Sequence, residues 1–319
     1  MVKELENLGW KPMWVSHLGC IKGCLDYLKI DVSDAWLFGG TGHAFIINMH
    51  EIVCPSGPTA WNTEMIFKLG SNIGYTIDGI QCIPKSDPKF AEKQKQVWEN
   101  TKSSIDKGLP CYGWELEIPE YYVVYGYDDK GYYYSGPPCD PNVKKHKQWN
   151  ELGNTEIGIL EMSTVKPIKP ANDIKTVKDA FRFVLEHSKS PSKWIFPKYR
   201  AGIEGFDVWI KALESGKAHS WGMAYNSAVW NECRELAVEF LKEAKLRIGK
   251  QGELFDEAKK HYEVVAQNLK KVTELFPFPP KGEEVKDSSR CKTGAEYLAV
   301  AKNSEELGLK TLSKIVDKL

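Results

Sequence analysis

Ser16-His-Leu-Gly-Cys20-Ile-Lys-Gly-Cys24-Leu-Asp-Tyr-Leu28 is the stretch on which the reading of this chain turns. Residues 21–28 read as a helix, with Gly19 and Cys20 at its start. A cysteine in the first turn of a helix has its thiolate stabilised by the positive end of the dipole and by free backbone amides. Those amides also suit the oxyanion of a tetrahedral intermediate. Cys20 takes that position as a candidate nucleophile, and Cys24, one turn further in, reads as packing. The plain alternative is that Cys20 is a small buried residue as well.

Downstream, Leu37-Phe-Gly-Gly-Thr-Gly-His43-Ala-Phe45 places a histidine after glycines that allow close approach of another backbone. His43 is therefore a candidate general base for a thiol. The loop lacks the Gly-Lys-Ser/Thr of a phosphate loop and the spacing of a dinucleotide fingerprint. A helix is expected over 61–69, and a polar one from Pro88 to about Asp106, capped by Asp87. Residues 109–116 and 121–127 read as strands, and Asp128-Asp-Lys-Gly131 as the turn into a third. Residues 156–162 make one more strand.

Past Val165-Lys-Pro-Ile-Lys-Pro-Ala-Asn172, which reads as a joint, the pattern is helical. Helices are expected over 174–188 (capped by Asp173), 205–215, 220–248 with a break near Gly222, 252–275, 294–301 and 305–318. The stripe Val229, Cys233, Leu236, Phe240 and Leu241 has core spacing. The expected class is α+β: a first domain over 1–170, with an N-terminal helix and an antiparallel sheet, then an all-α domain over 171–319.

Composition narrows the function classes. The 319 residues carry 43 basic and 43 acidic side chains, a balance unlike that of a nucleic-acid binder. Residues 1–170 hold 17 lysines, no arginine and 21 acids; the remainder is basic by about the same margin. No apolar run reaches the ~20 residues of a membrane span, and a cytoplasmic location is expected. The eight cysteines include no CxxC pair, and no Cys/His cluster has zinc-finger spacing. No metal or cofactor is expected.

Pro119-Glu-Tyr-Tyr-Val-Val-Tyr-Gly-Tyr-Asp-Asp129 completes a recognisable order. A cysteine-headed helix, a polar helix, a strand led by Gly108-Leu-Pro110, and an apolar strand ending Gly-Tyr-Asp-Asp together resemble papain-like cysteine peptidase folds. Cys20 through Phe45, with Ser33-Asp-Ala-Trp-Leu-Phe-Gly39, is similar to the N-terminal domain of butirosin-type aminoglycoside acyltransferases. Ala224-Tyr-Asn226, Trp230 and Glu232-Cys-Arg234 resemble the helical part of that group's relatives. The chain departs from the pattern where the strand's histidine would stand, since that position is Glu120, and where a glutamine would precede the cysteine.

The resemblance implies acyl transfer. Cys20 would be the nucleophile, His43 the base and Glu120 the carboxylate orienting it, a triad with two places exchanged. His17, Tyr122, Tyr225, Asn226 and Trp230 would contact substrate, with His17 lending a hydrogen bond to the oxyanion. The donor would be a thioester on an acyl carrier protein or other carrier, and the acceptor a small amine, as in closthioamide-type amide synthases. The helical domain, with Lys193, Lys198 and Arg200 near Trp194, would cover the site or dock the carrier. Two alternatives stand beside this one: a cysteine peptidase or amidohydrolase, and a non-catalytic binding protein on a degenerate papain-like scaffold.

Overall fold

A computed structural model describes residues 2–140 and 142–319. In chain order, its first half contains β1 (Lys3–Glu4), α1 (Ser16–Tyr27), α2 (Asp34–Gly40), β2 (Asn48–His50), α3 (Glu64–Ile73), β3 (Tyr75–Pro84) and α4 (Phe90–Asp106). Then come β4 (Cys111–Trp114), β5 (Tyr121–Tyr127), β6 (Gly131–Ser135), β7 (Lys145–Gln148) and β8 (Ile159–Pro167). The remainder is α5 (Asp173–His187), β9 (Tyr199–Ala201), α6 (Gly202–Glu214), α7 (Ser220–Ile248), α8 (Gly252–Leu275) and α9 (Ser288–Lys318). The chain is thus mixed α and β with an antiparallel sheet.

It divides into two compact units. The first joins Met1–Val32 to Gly74–Pro170, and the second joins Ser33–Ile73 to Ala171–Leu319. Residues 33–73, expected in the first domain, cluster with the helices.

The first unit is built on a sheet of order β3-β8-β4-β5-β6-β7, with β1 paired to β5. All four residues of β4 and the first four of β5 are buried, as strands covered on both faces must be. The register shows what covers them. Tyr112 lies opposite Val123, and Trp114 opposite Tyr121, so these four share one face. His17 of α1 packs on that face, against Tyr112 and Tyr121. The other face carries Tyr132, whose ring meets Trp98 of α4 edge-on at 5.0 Å. Thr164 bonds Ser104 of α4 there. Two helices therefore sandwich one sheet.

α1 begins at Ser16, five residues earlier than expected from the sequence. Gly19, expected at the helix start, is a contact residue inside it: a Cβ on Gly19 would run into the Lys11 carbonyl, and one on Gly23 into the Gly9 carbonyl. Two bare positions one turn apart let 9–11 lie flat on the helix, and the extra turn is held there. The cap expected at Asp87 falls short too. Its carboxylate accepts from the Lys89 amide at 2.7 Å, a local turn ahead of a helix that starts at Phe90.

In the second unit, α7 and α8 match their expected bounds. Gly222 does not break α7; it sits in the first turn beneath the Val53 carbonyl, where a side chain has no room. The helices expected over 294–301 and 305–318 form one, α9. Asn172, rather than Asp173, caps α5 by accepting from the Lys175 amide. Strands β2 and β9 pair antiparallel. The core holds Phe38, Phe45, Phe181, Phe206, Trp209 and Trp230.

At its centre Arg234 meets Glu305 through two bonds of 2.9 and 2.8 Å, and its Nη1 donates to the carbonyls of Ala44 and Ile46. Both side chains are buried. The bidentate pair is completed by backbone oxygens, which is how a buried guanidinium is accommodated.

Candidate functional site

Residues of the first unit converge at the start of α1. In an α-helix the first amides have no partner within the helix. Here Val15, at the cap position, supplies no side-chain cap, and the first turn carries no acidic residue. Ser16 is the first helical residue. Its Oγ donates to Glu120 Oε2 and accepts from the Tyr121 amide at 3.1 Å. Glu120 stands immediately before β5, so the strand that carries Tyr121 also delivers the carboxylate.

His17 follows directly. Its ring stacks on Tyr121, with centroids 4.1 Å apart and planes 13° from parallel. Its Nε2 lies 3.0 Å from Tyr112 Oη. Tyr121 Oη in turn donates to Glu161 Oε1 at 3.2 Å. The result is a linked set of polar side chains, Ser16, His17, Tyr112, Glu120, Tyr121 and Glu161, on the sheet face that α1 covers.

Cys20 lies a full turn inside α1, where its amide belongs to the helix ladder, and is wholly buried. Burial pushes its thiol well above the ordinary range, and the nearby Cys24 and Glu120 push it further. The argument from a first-turn dipole does not apply to it; the residue that occupies that turn is Ser16. Glu120 is still close enough to act on Cys20 electrostatically. Tyr122, expected at the substrate, is also buried, and its Oη accepts from the Ile118 amide at 2.9 Å.

The other expected residues belong to the second unit. His43 is 1% exposed. Its Nδ1 lies 3.7 Å from Cys233 Sγ, and its ring is flanked by Phe38, Trp61 and Trp230. Desolvation lowers its pKa to about 4, with a smaller contribution in the same direction from Arg234. It stands as a neutral imidazole in an aromatic cage. Trp230 Nε1 donates to Asn226 Oδ1 at 3.1 Å, while Asn226 Nδ2 donates to the carbonyls of Cys54 and Gly222. Both residues are buried and spend their polar atoms on the fold. Tyr225 is half-exposed, beside Phe278.

Of the expected triad, then, Cys20 and Glu120 come together in one unit and His43 lies in the other. Four residues of the linked set were not singled out from the sequence: Ser16, Tyr112, Tyr121 and Glu161. Ser16 precedes a histidine in the quoted opening stretch, and an earlier helix start would have exposed it. Glu161 sits in an expected strand, Glu156–Met162, with nothing local to mark a buried carboxylate.

Among the described residues no group of three or more His, Cys, Asp or Glu side chains is arranged to hold a metal ion, and no helix is long and apolar enough to cross a membrane. The second unit has a groove of about 590 Å³ between α6 and α9, lined in part by Leu213, Cys291 and Lys292, and it includes none of the expected site residues. Compared with known proteins, the chain matches no protein-family model and no curated protein.

Proposed function

We propose that the chain is an acyl-transfer enzyme on a papain-like scaffold, with Ser16 rather than Cys20 as the nucleophile, passing a thioester-bound acyl group to an amine. The observation that carries this is the hydrogen bond from Ser16 Oγ to Glu120 at the first residue of α1. It joins a nucleophile, a carboxylate base and a helix N-terminus in one place. Glu120 at the head of β5 also occupies the strand position where the resembled folds place histidine.

The chemistry follows from these groups. Ser16 Oγ attacks the thioester carbonyl carbon and Glu120 takes its proton. The carbonyl electron pair moves to oxygen, beside the amides of the first turn. Collapse restores the carbonyl and expels the thiolate, which takes the proton from Glu120. The acyl group is left as an ester on Ser16. An amine then attacks the ester, Glu120 accepts its proton, and collapse returns that proton to Ser16 Oγ with release of the amide. A carrier-bound donor and a small amine acceptor in the cytoplasm are the expectations that come with the resemblance; water as acceptor would make the enzyme a hydrolase.

A second reading, a non-catalytic binding protein, is favoured by burial: Ser16 is only 3% exposed. Incubation with the N-acetylcysteamine thioester of benzoic acid, followed by intact-mass and peptide analysis, separates the two. The acyl-transfer reading expects a benzoyl adduct on Ser16 that Ser16→Ala abolishes and added ethylenediamine discharges as an amide. An adduct on Cys20 would restore the thiol mechanism, and none at all would favour the binder.

A further inference from the structure

Glu161 is a buried carboxylate on β8, 4% exposed, that the acyl-transfer steps do not use. Its two oxygens face different ways in chemical terms. Oε1 accepts from Tyr121 Oη at 3.2 Å, and Oε2 lies 3.7 Å from the Cys82 thiol. Cys82 is exposed. It lies where the β3–β8 register shifts, between Ile80 and Ile83, with φ +51°. A bulge re-aims side chains in this way, and here it sets a solvent-facing thiol on an otherwise enclosed carboxylate.

Tyr121 carries that carboxylate's influence to the start of α1. Its hydroxyl is held by Glu161, its ring lies flat on His17, and its backbone amide holds Ser16 Oγ. We propose that Glu161 is a positioning residue for Ser16 and His17, acting through Tyr121, with a grip that differs between its charged and neutral forms. An ionised acceptor holds a hydroxyl about twice as strongly as a neutral one. This rests on the acyl-transfer reading only where activity is the readout.

The titratable groups around Glu161 are few. Cys82 comes from β3, Tyr112 from β4 and Tyr121 from β5, and His17 of α1 stands against both tyrosine rings. α4 meets β8 through the hydroxyls of Ser104 and Thr164. Lys166, on the same strand, is paired with Asp78 at 2.6 Å, and no basic side chain pairs with Glu161 among the described residues. Desolvation raises the Glu161 carboxyl to about 7, against the lowering effect of its bonds from Tyr121 and Cys82. The switch between its two forms therefore falls near neutral pH.

Two measurements on the full chain test this. The first is the rate at which a fluorophosphonate labels Ser16 between pH 5.5 and 9. The wild type should show a rising limb near pH 7. Glu161→Gln and Tyr121→Phe, checked by circular dichroism, should both lose that limb and label between about tenfold and a hundredfold more slowly at high pH. A limb unchanged in both variants overturns the proposal. The second needs no activity. The Tyr121 amide resonance, which reports its bond to Ser16, should step near pH 7 in the wild type and not in Glu161→Gln. If Ser16 takes no label, the acyl-transfer reading fails while this step still decides the positioning role. A Tyr121 amide that shows no step, or the same step in both proteins, refutes it.

Discussion

Thiols make the sharpest contrast at the scale of single residues. Access, not acidity, separates them: Cys20 is enclosed, whereas Cys82 is exposed and Cys54 and Cys139 are half-buried, although desolvation pushes the thiols of Cys82 and Cys139 up to about 12 and about 11. Iodoacetamide applied to the native protein at pH 8 should reach those three long before Cys20, as peptide mapping of the modified sites will show. Labelling of Cys20 at a comparable rate would mean that α1 opens easily. Histidines supply a second prediction. His187 is held at about 3 by desolvation and by its neighbour His43, and neither ring nitrogen has a hydrogen-bond partner. His43 is held at about 4. Both folded values lie below the unfolded ~6.5. The unfolded chain therefore takes up protons first as the pH falls. Stability is intact above pH 6.5 and is lost on the way down to the folded values, by a few kcal/mol for each group, since one unit is ~1.4 kcal/mol. Urea unfolding at pH 7.5 and pH 4.5 should record that loss, and His187→Phe, which fills the space without a titrating group, should shrink it.

Elements show where sequence reading succeeded and where it failed. α7 and α8 are legible because their stops are clear: Gly249 takes the left-handed cap position after α7, and prolines follow Phe276 after α8. The start of α1 is not legible locally because glycine has two meanings: it bounds a helix when alone in solvent, and it admits a neighbouring backbone when buried. That meaning depends on residues 9–11 lying across the helix, which local pattern does not reveal. The same ambiguity hid Ser16, so the candidate nucleophile was misplaced by one turn. β3 went unassigned, because an edge strand with Asp78, Gly79 and Gln81 carries no continuous apolar signal. Gly19→Ala and Gly23→Ala should each destabilise the protein by about 1–3 kcal/mol, the usual cost of overpacking. Chemical denaturation will measure it, and Gly216→Ala offers a contrast, since no atom lies near its Cβ direction and its positive φ is the main cost.

At the scale of the whole molecule, each of the two compact units is drawn from two separate stretches of chain. Composition separates a glycine- and tyrosine-rich half from a helical half, but it cannot show that 33–73 packs with distant helices. Gly39 lies against Phe240, and the carbonyls of Ala44 and Ile46 are bonded by Arg234. Such pairings join residues about two hundred positions apart and leave no local trace. A fragment cut at residue 170 should therefore expose Phe38, Phe45 and Trp61 and aggregate, which sedimentation of the expressed fragment will reveal. Within the intact chain, Glu305→Ala should cost about 3–5 kcal/mol, because it leaves Arg234 buried with no counter-charge. A denaturation midpoint close to that of the wild type would contradict it.

The guanidinium of Arg234 also orders events in time. As the polypeptide leaves the ribosome, this cation emerges some seventy residues ahead of the carboxylate that neutralises it, and several seconds pass before Glu305 follows. During that interval the nascent chain has every incentive to keep α7 hydrated. The helical unit thus acquires its dry interior only once Glu305 has followed.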